Sequence, residues 1–253
     1  MFDQKTRYLQ IAFNYDVGLV KRILPTIVSS VLSPSTTLRP FDFAQDRLRS
    51  GQGSEQALPQ GSERILIEAG TPFIKLEGMA GIKAIRSIWR GHVVADLKTV
   101  DGAVGEVDMV RSAGATAATV IGNSPTETLD LFIARCAELG MASMIDMLGV
   151  RDPLRVLMRL KTPPDVVVLH RGRDEEGTRG KVIQYRHVNR VRSKFDVLIS
   201  AAGGVDLKEA RSAIFNGASI VVANLVQPSD PWAGIRTDSD VAAMARQFLA
   251  TIE

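Results

Sequence analysis

Asp96, Lys98 and Asp101 stand in the pattern Asp-x-Lys-x-x-Asp at the end of the apolar run Val93-Val94-Ala95. In an extended strand, residues two apart share a face. Asp96 and Lys98 therefore project together, with Asp101 just beyond them. Two carboxylates and an ammonium this close cost desolvation energy unless they pair or bind something. Such a group can hold a cation, polarise a substrate oxygen or move a proton. Taken alone, it fits a surface ion pair at a strand–helix junction equally well.

The elements that must position these residues are given by periodicity. Short β-branched runs read as strands at Tyr8–Phe13, Arg64–Glu68, His92–Leu97, Ala117–Ile121, Ala142–Met147, Asp165–His170, Asp196–Ser200 and Ser219–Val222. Amphipathic runs between and after them read as helices at Val17–Val31, Met79–Trp89, Gly102–Ala113, Thr126–Leu139, Pro153–Leu160, Lys181–Arg192, Leu207–Asn216 and Asp238–Ile252. Asp152-Pro153 is an N-cap followed by proline at the first helical position, and Gly140 and Gly217 come after helical runs as helix-ending glycines do. Alternating strand and helix implies parallel pairing through right-handed crossovers. Eight such units in 253 residues predict an α/β fold of the (β/α)8 TIM-barrel class, a single domain over 1–253. An open doubly wound sheet is the competing architecture.

One segment breaks this rhythm. Ser33–Ser62 is rich in Ser, Pro, Gln, Arg and Gly, where compact α/β units need about 2–6 residues. It reads as an exposed low-complexity insertion on the N-terminal face of the barrel, away from the chemistry. An interaction arm using Phe41, Phe43 and Leu48 is the alternative.

In a closed barrel the C-terminal strand ends converge on one mouth. Those ends carry Asn14, Glu68, Asp96 with Lys98 and Asp101, Asp146, His170 with Arg173, the pair Gly203-Gly204, and Asn224. Charge scattered over the whole surface would not select that mouth, and this raises the cluster above an incidental ion pair. Gly203-Gly204, in the seventh unit, can turn backbone N–H groups toward an anion. His92, at a strand start, and His187, inside a helix, read as structural.

Composition narrows the classes. The chain is 45% hydrophobic and 23% charged, with a net charge of +3. That charge is too small to argue for nucleic acid by itself and suits a small anionic ligand at least as well, and the basic residues of 171–194 alternate with acidic and apolar ones. A single cysteine, Cys136, excludes an internal disulfide and a cysteine metal cluster. Met1–Arg7 lacks the apolar core of a signal peptide, and no apolar run reaches membrane-spanning length, so the cytoplasm is the expected location.

At Ile67-Glu68-Ala69-Gly70-Thr71-Pro72, Ala95-Asp96-Leu97-Lys98-Thr99-Val100-Asp101, His170-Arg171-Gly172-Arg173-Asp174 and Ala202-Gly203-Gly204-Val205, the chain resembles the orotidine-monophosphate decarboxylase superfamily. Within it, the resemblance is to the 3-hexulose-6-phosphate synthase and 3-keto-L-gulonate-6-phosphate decarboxylase branch, and it covers nearly everything outside 33–62. The nucleotide decarboxylases carry lysine at the second strand end, where this chain has Glu68, which argues against orotidine chemistry.

The resemblance implies a phosphorylated ketose substrate, an Mg²⁺ ion held by Glu68 and Asp96, and an enediolate intermediate. It implies that Lys98 stabilises the developing oxyanion, that His170 transfers protons and that Arg173 helps deliver one in the decarboxylase branch. Thr71 and Asp146 fall at substrate-contacting positions. Asp101 would reach the active site of a second subunit, since the family builds its sites at a homodimer interface.

Two corners depart from the pattern. The first strand ends Ala12-Phe13-Asn14 where the family has Ala-Leu-Asp, and the eighth ends Val222-Ala223-Asn224 in place of a phosphate-binding Gly-Arg or Gly-Gly pair. Losing a bidentate Arg–phosphate contact costs about 1.5–3 kcal/mol. The leading expectation is an Mg²⁺-dependent lyase joining formaldehyde to ribulose 5-phosphate. The alternatives are decarboxylation of 3-keto-L-gulonate 6-phosphate and a catalytically altered barrel that binds a sugar phosphate.

Overall fold

The computed structural model describes residues 2–31 and 62–253. The expected insertion at 33–62 lies outside them except for Ser62, which opens a 3-10 turn at Ser62–Arg64. Eight parallel strands close into a barrel: β1 (Tyr8–Phe13), β2 (Ile65–Ala69), β3 (His92–Thr99), β4 (Ala117–Ile121), β5 (Ala142–Asp146), β6 (Val166–His170), β7 (Leu198–Ala202) and β8 (Ile220–Val226). Each pairs with its neighbour in sequence order, and β1 pairs with β8 from Tyr8↔Ile220 to Ala12↔Asn224. The outer helices are α1 (Val17–Val31), α2 (Thr71–Ile88), α3 (Ala103–Ser112), α4 (Thr126–Glu138), α5 (Pro153–Leu157), α6 (Arg186–Arg192), α7 (Leu207–Phe215) and α8 (Val241–Thr251). This is the predicted TIM barrel.

The strands are buried on both faces, as a parallel sheet covered by helices requires. One apolar cluster lies between strands and helices, including Leu9, Ile11, Ile67, Phe73, Val93, Phe132, Val167, Ile199 and Phe248. A second fills the barrel interior with Tyr8, Ala12, Leu66, Val94, Ala117, Met144, Val166, Val168, Leu198, Ile220 and Val222. Period-2 alternation then sets the next residue on each inward face. Beyond Leu66 comes Glu68, beyond Val94 come Asp96 and Lys98, beyond Met144 comes Asp146, and beyond Val168 comes His170. Apolar layers at the bottom and polar side chains at the top are thus one pattern.

Several boundaries differ from the sequence reading. Helix α2 begins at Thr71, eight residues before Met79, because the helix continues through a kink at Gly78 (φ 58°), a conformation open to glycine. Strand β3 runs on to Thr99. Helix α5 ends at Leu157 and α6 starts only at Arg186. A ninth strand, β9 (Ile235–Arg236), pairs with the end of β8. Among the described residues no helix is long and apolar enough to cross a membrane.

Candidate active site

The mouth holds a cavity of about 470 Å³. Asn14, Glu68, Thr71, Asp96, Lys98, Asp146, His170, Arg173, Gly203 and Asn224 line it, so the predicted strand ends do converge. Gly204 is the next residue along from Gly203. Asp101 does not line the cavity: the side chain is exposed, and its Oδ1 accepts from the Gly102 N–H at 2.8 Å at the start of α3.

Lys98 is the hub. Its Nζ donates to Asp96 Oδ1 at 2.9 Å, Asp96 Oδ2 at 2.8 Å and Asp146 Oδ2 at 2.8 Å. The backbone at Lys98 is left-handed (φ 50°), which no other non-glycine among the described residues adopts. The register of β3 against β4 shifts between Ala95 and Thr99, and the Lys98 N–H is taken up by Thr119 Oγ1 at 2.9 Å. This bulge aims the side chain across the barrel at a backbone cost of about 1–3 kcal/mol. Burial opposes the ammonium charge, but Asp96 and Asp146 outweigh it and hold the Lys98 pKa above its ordinary value.

Asp96 is also tied from two sides: Thr71 Oγ1 donates to its Oδ2 at 2.8 Å and Thr119 Oγ1 to its Oδ1 at 2.8 Å. Asp146 is buried. Burial would raise its pKa, but His170 and Lys98 together drive it well below the usual carboxylate range. Its Oδ2 lies 2.8 Å from His170 Nδ1. That contact fixes the imidazole and, against the opposing effect of burial, raises the His170 pKa. His170 Nε2 has no hydrogen-bond partner among the described residues, so Asp146 orients one nitrogen and leaves the other for chemistry.

Glu68 is the unbalanced group. It is buried, and burial first and then the Asp96 charge push its carboxyl up to about 7. Among the described residues its hydrogen-bond partner is the Gln10 amide N–H, and the buried carbonyl oxygen of Gln10 has none. A buried carboxylate facing a second carboxylate, beside an orphaned amide oxygen, is what a hard cation relieves. The donor set therefore fits a divalent ion on Glu68 and Asp96. Among the described residues no group of three or more His, Cys, Asp and Glu side chains converges as ligands, so water or substrate oxygens would complete the shell.

The two departing corners meet: Asn14 Nδ2 donates to Asn224 Oδ1 at 3.0 Å across the β1–β8 seam. At the β7 end, Gly203 has φ 97°, and a Cβ there would sit 1.8 Å from the Arg171 carbonyl oxygen. Arg171 Nη2 donates to the Gly203 and Gly204 carbonyls at 3.0 and 3.3 Å. Arg173 stacks on Trp232, 4.4 Å from the ring centroid, at the cavity rim.

Sequence reasoning missed Gln10, Thr119, Arg171 and Trp232. The first two carried a signal, each being a lone polar residue at an inward position of an apolar strand. The last two reach the site through loop geometry, which has no periodicity to read.

Comparisons with known proteins agree with this geometry. The model of the Orotidine 5'-phosphate decarboxylase / HUMPS family matches residues 57–224. The Bifunctional enzyme Fae/Hps of Methanothrix thermoacetophila is 32% identical over 248 residues, covering 97% of this chain and 53% of that protein. The chain spans about half the length of the curated relatives it matches. Two solved structures share the fold. The 3-hexulose-6-phosphate synthase of Salmonella typhimurium has a TM-score of 0.72 at 21% identity, over 97% of this chain and 98% of that one. The 3-keto-L-gulonate-6-phosphate decarboxylase of Vibrio cholerae has a TM-score of 0.67 at 18% identity, over 98% of each chain. With two thirds of its length matched by the family model and its inward-facing charges gathered at the barrel mouth, the chain belongs to the orotidine 5'-phosphate decarboxylase / HUMPS family.

Proposed function

We propose that the chain is a carbon–carbon lyase of the aldolase type, a 3-hexulose-6-phosphate synthase that joins formaldehyde to ribulose 5-phosphate. The observation that carries this reading is the Lys98 ammonium held between Asp96 and Asp146, with His170 bonded to the same Asp146 carboxylate. The relatives named Fae/Hps support the choice of substrate.

In this reading the neutral His170 imidazole takes the proton from C1 of the ketose as the C2 carbonyl becomes an enediolate oxygen. Lys98 donates hydrogen bonds to that developing oxyanion, in a site where such donors are worth several kcal/mol. C1 then forms a bond to the formaldehyde carbon, the formaldehyde π-bond breaks onto oxygen, and His170 returns the same proton to that oxygen. Protons and electrons balance without a further reactant. Glu68 and Asp96 would hold Mg²⁺, whose charge favours the enediolate. Gly203, Gly204 and Asn224 are the proposed phosphate end, with Asn14 and Thr71 toward the sugar hydroxyls. We further propose a cytoplasmic homodimer in which Asp101, which does not line its own cavity, serves that of a second copy.

The test is the condensation of ribulose 5-phosphate with formaldehyde in the presence of Mg²⁺, comparing wild type with Lys98→Ala. Turnover by the wild type no faster than the variant overturns the assignment. Arg173 at the rim favours a second reading, decarboxylation of 3-keto-L-gulonate 6-phosphate. Release of carbon dioxide from that substrate, without condensation, would establish it instead.

A further inference from the structure

Beside the mouth, on the outer side of the loops after β5 and β6, lies a second cavity of about 370 Å³. Its size is within the range of small-ligand sites, about 300–1,000 Å³. Arg151, Arg171, Lys181, Arg186 and His187 line it with Glu175, the one acidic residue among them, and it shares Gly149, His170 and Glu175 with the mouth. Glu175 is already engaged by Lys181 Nζ at 2.6 Å. Arg151 and Arg186 are exposed at the rim, and neither guanidinium has a carboxylate partner among the described residues.

The floor carries the more specific signal. His187 is only 3% exposed, and its Nδ1 has no hydrogen-bond partner. The Arg186 Nε–H lies 3.5 Å from His187 Nε2. An arginine can only donate, so Nε2 is the acceptor and the neutral ring carries its proton on Nδ1. Burial, and then the charges of Arg186 and Arg190, depress the His187 pKa, while Asp152 opposes them; the neutral form prevails. The Nε–H of Arg171 is likewise buried and unpartnered, although its Nη2 is spent on the Gly203 and Gly204 carbonyls and Nη1 lies 3.4 Å from the Lys181 carbonyl. Both orphans are donors buried beneath the cavity lining, where a donor left unmet is unfavourable. Above them, two guanidiniums without a carboxylate partner among the described residues, with Arg171 and Lys181 in the same lining, call for a ligand that only accepts and carries negative charge.

We propose that this cavity, which adjoins the mouth, is a second anion site that binds a phosphoryl group. A phosphoryl group offers three acceptor oxygens in the geometry that guanidinium forks match. The sequence reading of His187 as structural is thereby extended: it closes a core position and also lines the cavity. The proposal does not depend on the lyase reading, since Glu68, Asp96, Lys98 and Asp146 do not line this cavity.

The test is a titration of the full chain with inorganic phosphate, monitored through the imidazole NMR signals. There are three histidines, so His187 is assigned with His187→Gln. The proposal expects the His187 signal to move saturably. It expects Arg151→Ala, and independently Arg186→Gln, to raise that midpoint about tenfold while phosphate leaves the signal of His92, at the start of β3, unmoved. A parallel titration with glycerol 2-phosphate identifies the source: tighter binding than phosphate marks a phosphomonoester site, equal binding a site for the free ion. A His187 signal that stays still through the titration overturns the proposal, as does a midpoint unchanged in either arginine variant.

Discussion

Replacing Glu68 by Gln tests the balance of charge at the mouth most directly. In the metal-free protein the Glu68 carboxyl is raised from 4.5 to about 7, first by burial and then by Asp96. A carboxyl with a raised folded pKa holds its proton more tightly in the native state. Its contribution to stability is complete below pH 4.5 and is lost as pH rises to about 7, the loss amounting to about 3 kcal/mol. Glutamine keeps the shape and can still accept from the Gln10 amide, but carries no charge. The variant should therefore match the wild type near pH 4.5 and exceed it by about 3 kcal/mol at pH 8. Urea unfolding in the presence of a chelator at the two pH values measures this directly. Mg²⁺ should then stabilise the wild type more at pH 8 than at pH 5, because only the ionised carboxylate binds it, and should stabilise the variant hardly at all. Parallel pH curves for the two proteins would refute the charge argument, and an Mg²⁺ effect that survives in the variant would refute the assignment of Glu68 to the cation.

Lys98→Met should leave Asp96 and Asp146 facing each other without a counter-ion; unfolding experiments should show a loss of about 3 kcal/mol, and turnover should fall about 10²–10³-fold. Asp146→Asn should lower the His170 pKa, because the main charge that offsets burial of the imidazole is then gone; an unmoved titration midpoint in NMR would contradict the pairing. Gly203→Ala places a methyl group against the Arg171 carbonyl at a left-handed backbone position, and should cost about 3 kcal/mol or more, visible as a fall in Tm. Cys136 is buried, with its thiol raised to about 12 by burial, so it should react with a thiol reagent only on unfolding.

The barrel was legible because its signal is repeated: eight β-branched runs at even spacing leave few topologies. The site was legible where chemistry sits in the strands themselves, since Glu68, Asp96, Asp146 and His170 occupy inward positions that period-2 counting identifies. Legibility failed where conformation departs from the period. The left-handed turn at Lys98 and its bond to Thr119 could not be read from Ala95–Thr99, because any residue there would scan as extended. The kink at Gly78 hid the first two turns of α2 behind a loop-like Gly-Thr-Pro. Trp232 and Arg171 come from segments whose path is set by tertiary contacts. The mutual bond of Asn14 and Asn224 was invisible too, although both residues had been singled out, because two separate departures gave no sign of being one paired change.

That bond also fixes when the mouth can exist. Its partners are 210 residues apart, and the strands that carry them are at opposite ends of the order of synthesis. As the chain emerges from the ribosome, β1 waits with one edge unpaired until β8 is made, and an unpaired parallel edge is a template for another chain. The cavity is then completed in one late step, when Val221, Ala223 and their neighbours dock on Leu9 and Ile11. A nascent chain short of β8 holds every charged residue from Glu68 to His170 and still has no enclosed mouth. Truncation before Ile220 should therefore yield a sticky, open-edged intermediate with no residual fraction of activity.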